Sequence, residues 1–289
     1  MNEPFTLTLP VAQAELPLLL DSPHSGNEFP AGFRSIASRE ALLTAWDAHV
    51  EELWSGAVEH GASLLQANFP RVVIDPNRAG NDIDPELLAQ PWPAAWDPIA
   101  PSAYSQRGMG LIRRYILPGQ PMYLHPLSPD EIRKRIETLY APYHLALHTR
   151  LQALRDRYGR AWHINCHSMK SAGNAMNVDA GRSRPDFVVS DAEGKSSDSG
   201  FGDQIVEVLS GMGYSVQRND PYKGGYIVRH YGNPVNGINS IQIEINRRRY
   251  FDEARFVKSA EFSSLRQNLT VLSSRLAAMI RRELGGECQ

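Results

Sequence analysis

Cysteine is scarce in this sequence of 289 residues: only Cys166 and Cys288 occur, and they lie far apart in the chain. Two cysteines cannot build a disulfide framework, and they cannot supply the cluster of thiolates that a structural zinc site requires. A metal ion bound here would therefore need histidine and carboxylate ligands.

Long apolar runs and an excess of charge of one sign are missing as well. No apolar stretch reaches the roughly 18 residues of a membrane span, and the N-terminal MNEPFTLTLP lacks the basic and apolar regions of a signal peptide. Lys and Arg number 30 against 32 Asp and Glu, a net charge of -2, which gives no general attraction to nucleic acid or anionic lipid. We expect a soluble cytoplasmic protein without nucleic-acid or membrane partners; nothing in the sequence indicates an oligomeric state.

Segments with strand character alternate with helical segments along the chain. Strands are predicted at 16–22, 63–69, 71–75, 111–117, 161–168, 186–190, 226–232 and 240–246. Helices are predicted at 38–61 with Ser38 as N-cap, at 129–158, at 199–212, and over the C-terminal leucine repeat, where Gly285 and Gly286 are expected to end the last helix. The alternation predicts an α/β fold: one domain over 1–289 with a mixed, mostly parallel sheet flanked by helices.

The segment from Pro76 to Gly110 is dominated by turn-forming residues. A segment of this length without periodicity of its own is typical of a functional loop or lid. We expect it to shape a ligand pocket.

Chemically versatile side chains fall at the ends of the predicted strands, where ligands bind in α/β sheets. His24 follows the first strand, Asn77 and Arg78 follow 71–75, His167 ends 161–168, and Glu244 lies in 240–246. Two imidazoles, a carboxylate and arginines are the residue types of a mononuclear zinc hydrolase. A single histidine after a strand is also commonly just a hydrogen-bonded loop residue, so the pattern counts only as a set.

Strand geometry narrows the choice among the histidines. In HINCHS, alternation places His163 and His167 on one face and Cys166 on the other, so Cys166 and His167 cannot form a nucleophilic pair with each other. Four residues of strand separate the two histidines by roughly 13 Å, too far for one ion, and His167 at the carboxyl end is the favoured ligand. His148 is expected on a helix surface, and the role of His144 stays open. No G-x-S-x-G motif supports serine hydrolysis.

Blocks of sequence in a fixed order resemble the N-formylglutamate amidohydrolase family. They are DSPHSG (21–26), WDAHVEEL (46–53), FPRVVIDPNR (69–78), PYH (142–144), NCHSM (165–169), PYKGGYIVRHYG (221–232) and IQIEINRRRY (241–250). The family hydrolyses N-formyl-L-glutamate to formate and glutamate in bacterial histidine degradation, and it is related to zinc carboxypeptidases and aspartoacylase. The resemblance implies a phosphorylase/hydrolase-like fold, as in zinc carboxypeptidases, and a small N-acyl amino acid as substrate.

The resemblance also implies a set of metal ligands. His24, Asp47 and His167 are the expected ligands of Zn²⁺, or of another divalent ion with similar preferences. Glu28 is the alternative third ligand, although its spacing from His24 departs by one residue from the H-x-x-E pair of the related enzymes. Asp47 could instead be a solvated or capping carboxylate on the predicted helix.

Roles for other residues follow from the same resemblance. Glu244 corresponds to the general base that activates water, and a carboxylate in the apolar run SIQIEI would otherwise be costly, unless it pairs with a nearby arginine. Arg71 is the candidate for stabilising the oxyanion.

Substrate carboxylates are expected to bind arginine and lysine side chains. Asn77 and Arg78 match the pair that holds a substrate carboxylate in the wider superfamily. Arg229 is the candidate for the second carboxylate, with Lys223 and Arg249 as weaker ones. The run Arg247–Arg249 is otherwise predicted to be a solvated surface.

Two alternatives to a formylglutamate deformylase remain. One is a related zinc deacylase acting on another N-acyl amino acid. The other is a non-catalytic anion-binding protein of the same fold, in which NRRRY contacts phosphate or RNA. The near-neutral charge and the lack of a basic, aromatic-rich face argue against the second alternative.

Overall fold

The computed structural model of the chain describes residues 3–11, 14–177 and 179–286. Its strands are β1 (Phe5–Thr8), β2 (Leu18–Ser22), β3 (Ser63–Ala67), β4 (Tyr115–Leu117), β5 (Gln120–Pro121), β6 (Ala161–Met169), β7 (Phe187–Ser190), β8 (Val216–Arg218), β9 (Ile238–Asn246), β10 (Phe251–Asp252) and β11 (Val257–Lys258). Its α-helices are α1 (Arg39–Leu43), α2 (Val50–Trp54), α3 (Ala103–Gln106), α4 (Pro129–Arg135), α5 (Ala141–Tyr158), α6 (Ser199–Gly211), α7 (Tyr226–Tyr231) and α8 (Phe262–Gly286). Cys166 is a buried free thiol, whereas Cys288 lies outside the described residues.

A seven-stranded sheet forms the centre of the fold, with strand order β1-β3-β2-β6-β9-β7-β8. The β1–β3 and β7–β9 pairs are antiparallel and the other pairs are parallel. The predicted fold class, a mixed and mostly parallel sheet flanked by helices, is confirmed. The carboxyl ends of β2, β6 and β9 therefore meet at one edge of the sheet.

The two faces of the sheet differ in character near this edge. On one face, alternate residues such as Ile164 and Cys166 of β6 and Ile243 of β9 pack in an apolar core with α2, α6 and α8. On the other face, towards α5 and α7, the same strands carry the polar side chains His167 and Glu244, which are register partners. The predicted alternation in HINCHS thus separates an apolar core from a polar site.

The predicted helix over 38–61 is wrong. Ser38 does cap a helix, because its Oγ accepts a hydrogen bond from the backbone N–H of Ala41, but α1 ends at Leu43. Residues 44–49 form turns, with His49 in the left-handed region at φ 58°. Long-range polar contacts hold this break, since the backbone N–H of Asp47 donates to the His24 carbonyl oxygen at 3.1 Å. Tertiary contacts here override the helical periodicity.

Four other predictions of local structure also fail. Residues 71–75 form turns, since Arg71 folds back to pair with Asp75 four residues later. The segment 226–232, predicted as a strand, is α7 with a buried apolar face, and only 115–117 of the predicted strand 111–117 is a strand. The last helix continues through Gly285 and Gly286 instead of ending before them.

The turn-rich segment 76–110 is an ordered loop that contains a short 3-10 helix, Pro85–Leu87, and the short helix α3. The buried Asp82 carboxylate anchors it by accepting hydrogen bonds from the Ser102 backbone N–H at 2.7 Å and the Ser102 hydroxyl at 2.8 Å. Tyr104 and Met109 from this loop line the cavity described below, so the segment does contribute to a pocket.

Candidate metal centre

His24, Asp47 and His167 converge at the carboxyl edge of the sheet. Asp47 Oδ2 lies 3.2 Å from His167 Nδ1 and 3.5 Å from His24 Nδ1, and one ligand atom from each residue lies within 4.8 Å of the others. Ligand atoms bonded at about 2.0–2.2 Å to one tetrahedral ion are separated by about 3.4 Å. All three side chains are buried, so the group has the composition and spacing of a three-ligand metal site.

The free nitrogens of the two imidazoles also fit a metal ion. His24 Nδ1 is buried without a hydrogen-bond partner among the described residues, while Nε2 on the other side of the ring lies 2.7 Å from Asp75 Oδ1. His167 Nε2 lies 2.7 Å from Asn165 Oδ1. With the ring proton on each Nε2, both Nδ1 lone pairs face Asp47, as in metal sites whose histidines are oriented by an oxygen acceptor.

Asp47 is held ionised by its surroundings. Arg247 Nη2 donates to Asp47 Oδ1 at 2.9 Å, and the Ser168 backbone N–H donates to Oδ2 at 3.2 Å. Burial alone would raise the pKa of the Asp47 carboxyl, but the adjacent His167 and His24 rings and the charge of Arg247 hold it well below its usual range. A carboxylate that stays ionised is well suited to bind a metal cation.

The prediction of a solvated surface for Arg247–Arg249 is wrong for Arg247. Its side chain is buried and also donates to the Thr44 carbonyl oxygen at 2.9 Å. Arg248 and Arg249 turn the other way, where Arg249 Nη2 pairs with Asp186 at 2.6 Å, and neither lines the cavity. The weaker candidate Arg249 is therefore not among the residues that the structure brings to the site.

The remaining histidine and carboxylate candidates lie elsewhere. Glu28 is exposed and is not part of the group around Asp47. His163 is buried between Asp21 Oδ1 at 2.9 Å and Ser240 Oγ at 2.7 Å, so it serves a hydrogen-bond network below the site. His144 bonds to the Tyr231 hydroxyl and the Pro76 carbonyl, and His148 is exposed as predicted.

Glu244 lies beside the metal-ligand group on the neighbouring strand. Gln242 Nε2 donates to Glu244 Oε1 at 2.9 Å, and Glu244 lines the same cavity as His167. Burial raises the pKa of Glu244; the charge of His167 opposes this shift, and that of Asp47 adds to it. A buried carboxyl with a raised pKa and one oxygen open to the cavity has the properties of a general base.

The cavity has a volume of about 490 Å³ and is strongly cationic. Seven arginines and two lysines line it, whereas Asp47 and Glu244 are its only carboxylates in the described part of the chain. This imbalance favours an anionic ligand, even though the whole chain is close to neutral.

Arg71 and Asn77 are held by contacts within the protein. Arg71 Nε and Nη2 both donate to Asp75 Oδ2, at 3.1 and 2.5 Å, so Asp75 joins Arg71 to His24. Asn77 Oδ1 accepts from the Ile227 backbone N–H at 2.9 Å, and its Nδ2 lies 3.0 Å from His167 Nε2. Asn77 is thus placed to position His167.

The cationic candidates for substrate binding differ in burial. Arg78 is half-buried, donates to the Met109 carbonyl at 3.0 Å and stacks on Tyr104, with 4.0 Å from its guanidinium carbon to the ring centroid. Arg229 and Lys223 are exposed at the rim of the cavity, where Lys223 pairs with Glu193 at 2.6 Å. All three line the cavity, but only Arg78 is partly buried.

Sequence reasoning missed Asp75, Arg113 and the role of Arg247. Asp75 ends the block FPRVVID, and a carboxylate after an apolar run was the available indication. Arg113 lines the cavity from the segment before β4, and nothing in its sequence surroundings distinguishes it from the adjacent Arg114.

Comparisons with known proteins agree on one family. The sequence model of N-formylglutamate amidohydrolase matches residues 16–251. Over 245 residues the chain is 32% identical to the N-formylglutamate deformylase of Pseudomonas putida and 30% identical to that of Pseudomonas aeruginosa, covering 83% of this chain and 84% of each relative. The crystal structure of N-formylglutamate amidohydrolase from Ralstonia eutropha JMP134 has 40% identity and a TM-score of 0.91, covering 97% of this chain and 99% of that chain.

A more distant solved structure shares the fold alone. It is a gene product of Agrobacterium tumefaciens with 21% identity and a TM-score of 0.63, covering 100% of this chain and 97% of that chain. Within the described residues, none of the helices has the length and apolar character needed to cross a membrane.

Proposed function

The chain belongs to the N-formylglutamate amidohydrolase family and is an amide hydrolase, and from this we propose that it converts N-formyl-L-glutamate and water to formate and L-glutamate with the help of a zinc ion. The observation that carries this proposal is the buried group of His24, Asp47 and His167 beside Glu244 in a cationic cavity. Cytoplasmic histidine degradation is the proposed setting of the reaction.

His24 Nδ1, Asp47 Oδ2 and His167 Nδ1 are the atoms that would hold the ion. The unpartnered, buried His24 Nδ1 supports this assignment, because an imidazole nitrogen buried without a partner is costly unless a ligand completes it. Zinc bound there supplies a Lewis acid that polarises the formyl carbonyl and makes water a stronger acid; another divalent ion with similar ligand preferences could do the same.

Glu244 is the proposed general base. Its Oε1 is fixed by Gln242, which leaves Oε2 for a proton. The carboxylate takes a proton from the attacking water as the new C–O bond forms at the formyl carbon. It then delivers that proton to the amide nitrogen as the C–N bond breaks, so that formate and the amine of glutamate leave. The raised pKa of Glu244 brings its proton affinity closer to the working pH.

Arg71 is proposed to stabilise the oxyanion that develops on the formyl oxygen. Its pairing with Asp75 through Nε and Nη2 fixes the guanidinium and leaves Nη1 to donate. Arg78, positioned with Asn77, is proposed to bind the substrate α-carboxylate, which lies close to the scissile nitrogen. Arg229 and Lys223 at the rim are proposed to attract the anionic substrate to the cavity.

The proposal is tested by measuring formate or acetate release from N-formyl-L-glutamate, N-formyl-L-aspartate and N-acetyl-L-glutamate under identical conditions. We expect N-formyl-L-glutamate to have the highest kcat/KM, by about 10-fold or more, because one methylene or methyl group in a fitted pocket changes binding by 1–3 kcal/mol. Faster turnover of either other compound would instead favour a deacylase for another N-acyl amino acid.

A further inference from the structure

Arg113 is a buried cation in the cavity wall that has no side-chain partner among the described residues. It is 9% exposed, and among the described residues no side-chain hydrogen bond or ion pair reaches its guanidinium, whose Nε is fully buried. Three other arginines of the cavity each pair with a carboxylate: Arg71 with Asp75, Arg247 with Asp47, and Arg184 through two hydrogen bonds with Asp179. Arg113 differs from each of them.

The surroundings of Arg113 make this lack of a partner costly. Burial is the main cause that lowers the pKa of Arg113 to about 9, and the charges of Arg71 and Arg78 act in the same direction. A guanidinium withdrawn from water is normally compensated by a carboxylate or another acceptor. The charges of Asp75 and Asp47 oppose the shift only in part, and no described residue bonds to the guanidinium. Because the side chain borders a cavity, an anionic ligand is the expected partner.

Lys170 is a second cation of the same kind. It is half-buried, it lines the same cavity, and its ammonium has no carboxylate within ion-pair distance in the part of the chain that the structure describes. Burial lowers the pKa of Lys170 to about 8, and the charges of Arg247 and Arg113 contribute. The positive charges of Arg113 and Lys170 therefore repel each other until an anion binds between them.

We propose that Arg113 and Lys170 together bind the side-chain carboxylate of the N-formyl amino acid and so select dicarboxylate substrates. This inference rests on the proposed deformylase function. The α-carboxylate is attached to the carbon next to the scissile nitrogen, so it is assigned to Arg78, near the metal-ligand group. The side-chain carboxylate lies further out, and Lys170, three residues beyond His167, is about 10 Å further along the strand direction. Arg229 and Lys223, the candidates from sequence, are exposed instead.

The test compares kcat/KM for N-formyl-L-glutamate and N-formyl-L-glutamine, whose side chains have the same shape but end in a carboxylate and an uncharged carboxamide, respectively. The native enzyme is expected to prefer the glutamate compound by about 100-fold. In Arg113→Gln, kcat/KM for the glutamate compound should fall by about 100-fold, while that for the glutamine compound changes less than about 3-fold. Lys170→Met should act in the same direction by about 10-fold, because its charge is less buried.

Two further variants separate recognition from loss of charge or fold. Arg113→Lys keeps the charge but loses the planar guanidinium. Its preference for the glutamate compound should lie between those of the native enzyme and Arg113→Gln. Arg255→Gln removes a cation that is 82% exposed and does not line the cavity, and it should leave the preference for the glutamate compound unchanged. Thermal unfolding and metal content of each variant show whether it is folded and has bound its metal ion.

Either of two results would overturn the inference: an unchanged preference in Arg113→Gln, or an equal loss for both substrates. If the native enzyme releases no formate from either compound, the proposed deformylase function is contradicted, and the role of Arg113 and Lys170 needs a separate test. Calorimetric binding of glutarate and butyrate then decides the inference separately. Tighter binding of glutarate that disappears in Arg113→Gln supports it, and equal binding of the two acids contradicts it.

Discussion

Replacing Glu244 by Gln should lower kcat for N-formyl-L-glutamate by about 1,000-fold, while bound zinc and KM stay close to those of the native enzyme. Gln preserves the size of the side chain and can still bond to Gln242, but it cannot accept the proton of water. Steady-state formate release and elemental analysis of the same sample measure both quantities. Glu137→Gln, which alters an exposed carboxylate paired with Arg133, is the control and should retain full activity.

The pH dependence of kcat/KM gives a second measure of Glu244. Because burial raises the pKa of this carboxyl, the acid limb should lie above the ordinary glutamate pKa of about 4.3, with activity rising as pH rises and the carboxyl loses its proton. The residual activity of Glu244→Gln should lack that limb. Unchanged kcat, or an unchanged acid limb in the variant, would remove Glu244 from the role of base.

Replacing Asp47 by Ala should abolish zinc binding and activity and also destabilise the metal-free protein by about 3 kcal/mol. Asp47 contributes one of three ligand atoms, and it is the ion-pair partner of the buried Arg247. Its removal leaves that guanidinium buried without its carboxylate. Urea denaturation in the presence of a chelator measures the free energy of unfolding of the metal-free protein, and elemental analysis measures bound zinc.

Arg247→Met separates the two roles of Asp47. This variant keeps the carboxylate ligand and should retain zinc, although more weakly. In the double variant with Asp47→Ala, the loss of stability should be smaller than the sum of the two single losses, because both changes break the same ion pair. One equivalent of tightly bound zinc in Asp47→Ala would show that the metal-ligand group is assigned incorrectly.

Regular periodicity made the sheet predictable. The apolar run before His24 and the alternation through His163, Cys166 and His167 are local patterns, and β2 and β6 follow them. The pattern also gave the correct face for His167, because the side-chain period of a strand does not depend on what packs against it.

The failures at Asp47 and Arg247 share one physical cause, which is polar contact between residues distant in sequence. Asp47 breaks the predicted helix because its partners come from β6 and from Arg247, about two hundred residues away. Arg247 looked like part of an exposed basic run for the same reason. Arg113 could not be recognised because what distinguishes it is that no residue in the described ranges pairs with it, which only the fold reveals.

We propose above that a metal ion held by His24, Asp47 and His167 enables hydrolysis of N-formyl-L-glutamate. The most direct test is to remove metal from the native protein with a chelator, dialyse, and titrate zinc back while measuring formate release. We predict negligible turnover without metal and a linear recovery that saturates at one zinc per chain. Full turnover by metal-free protein, or zinc binding at one equivalent without any formate, would contradict the account.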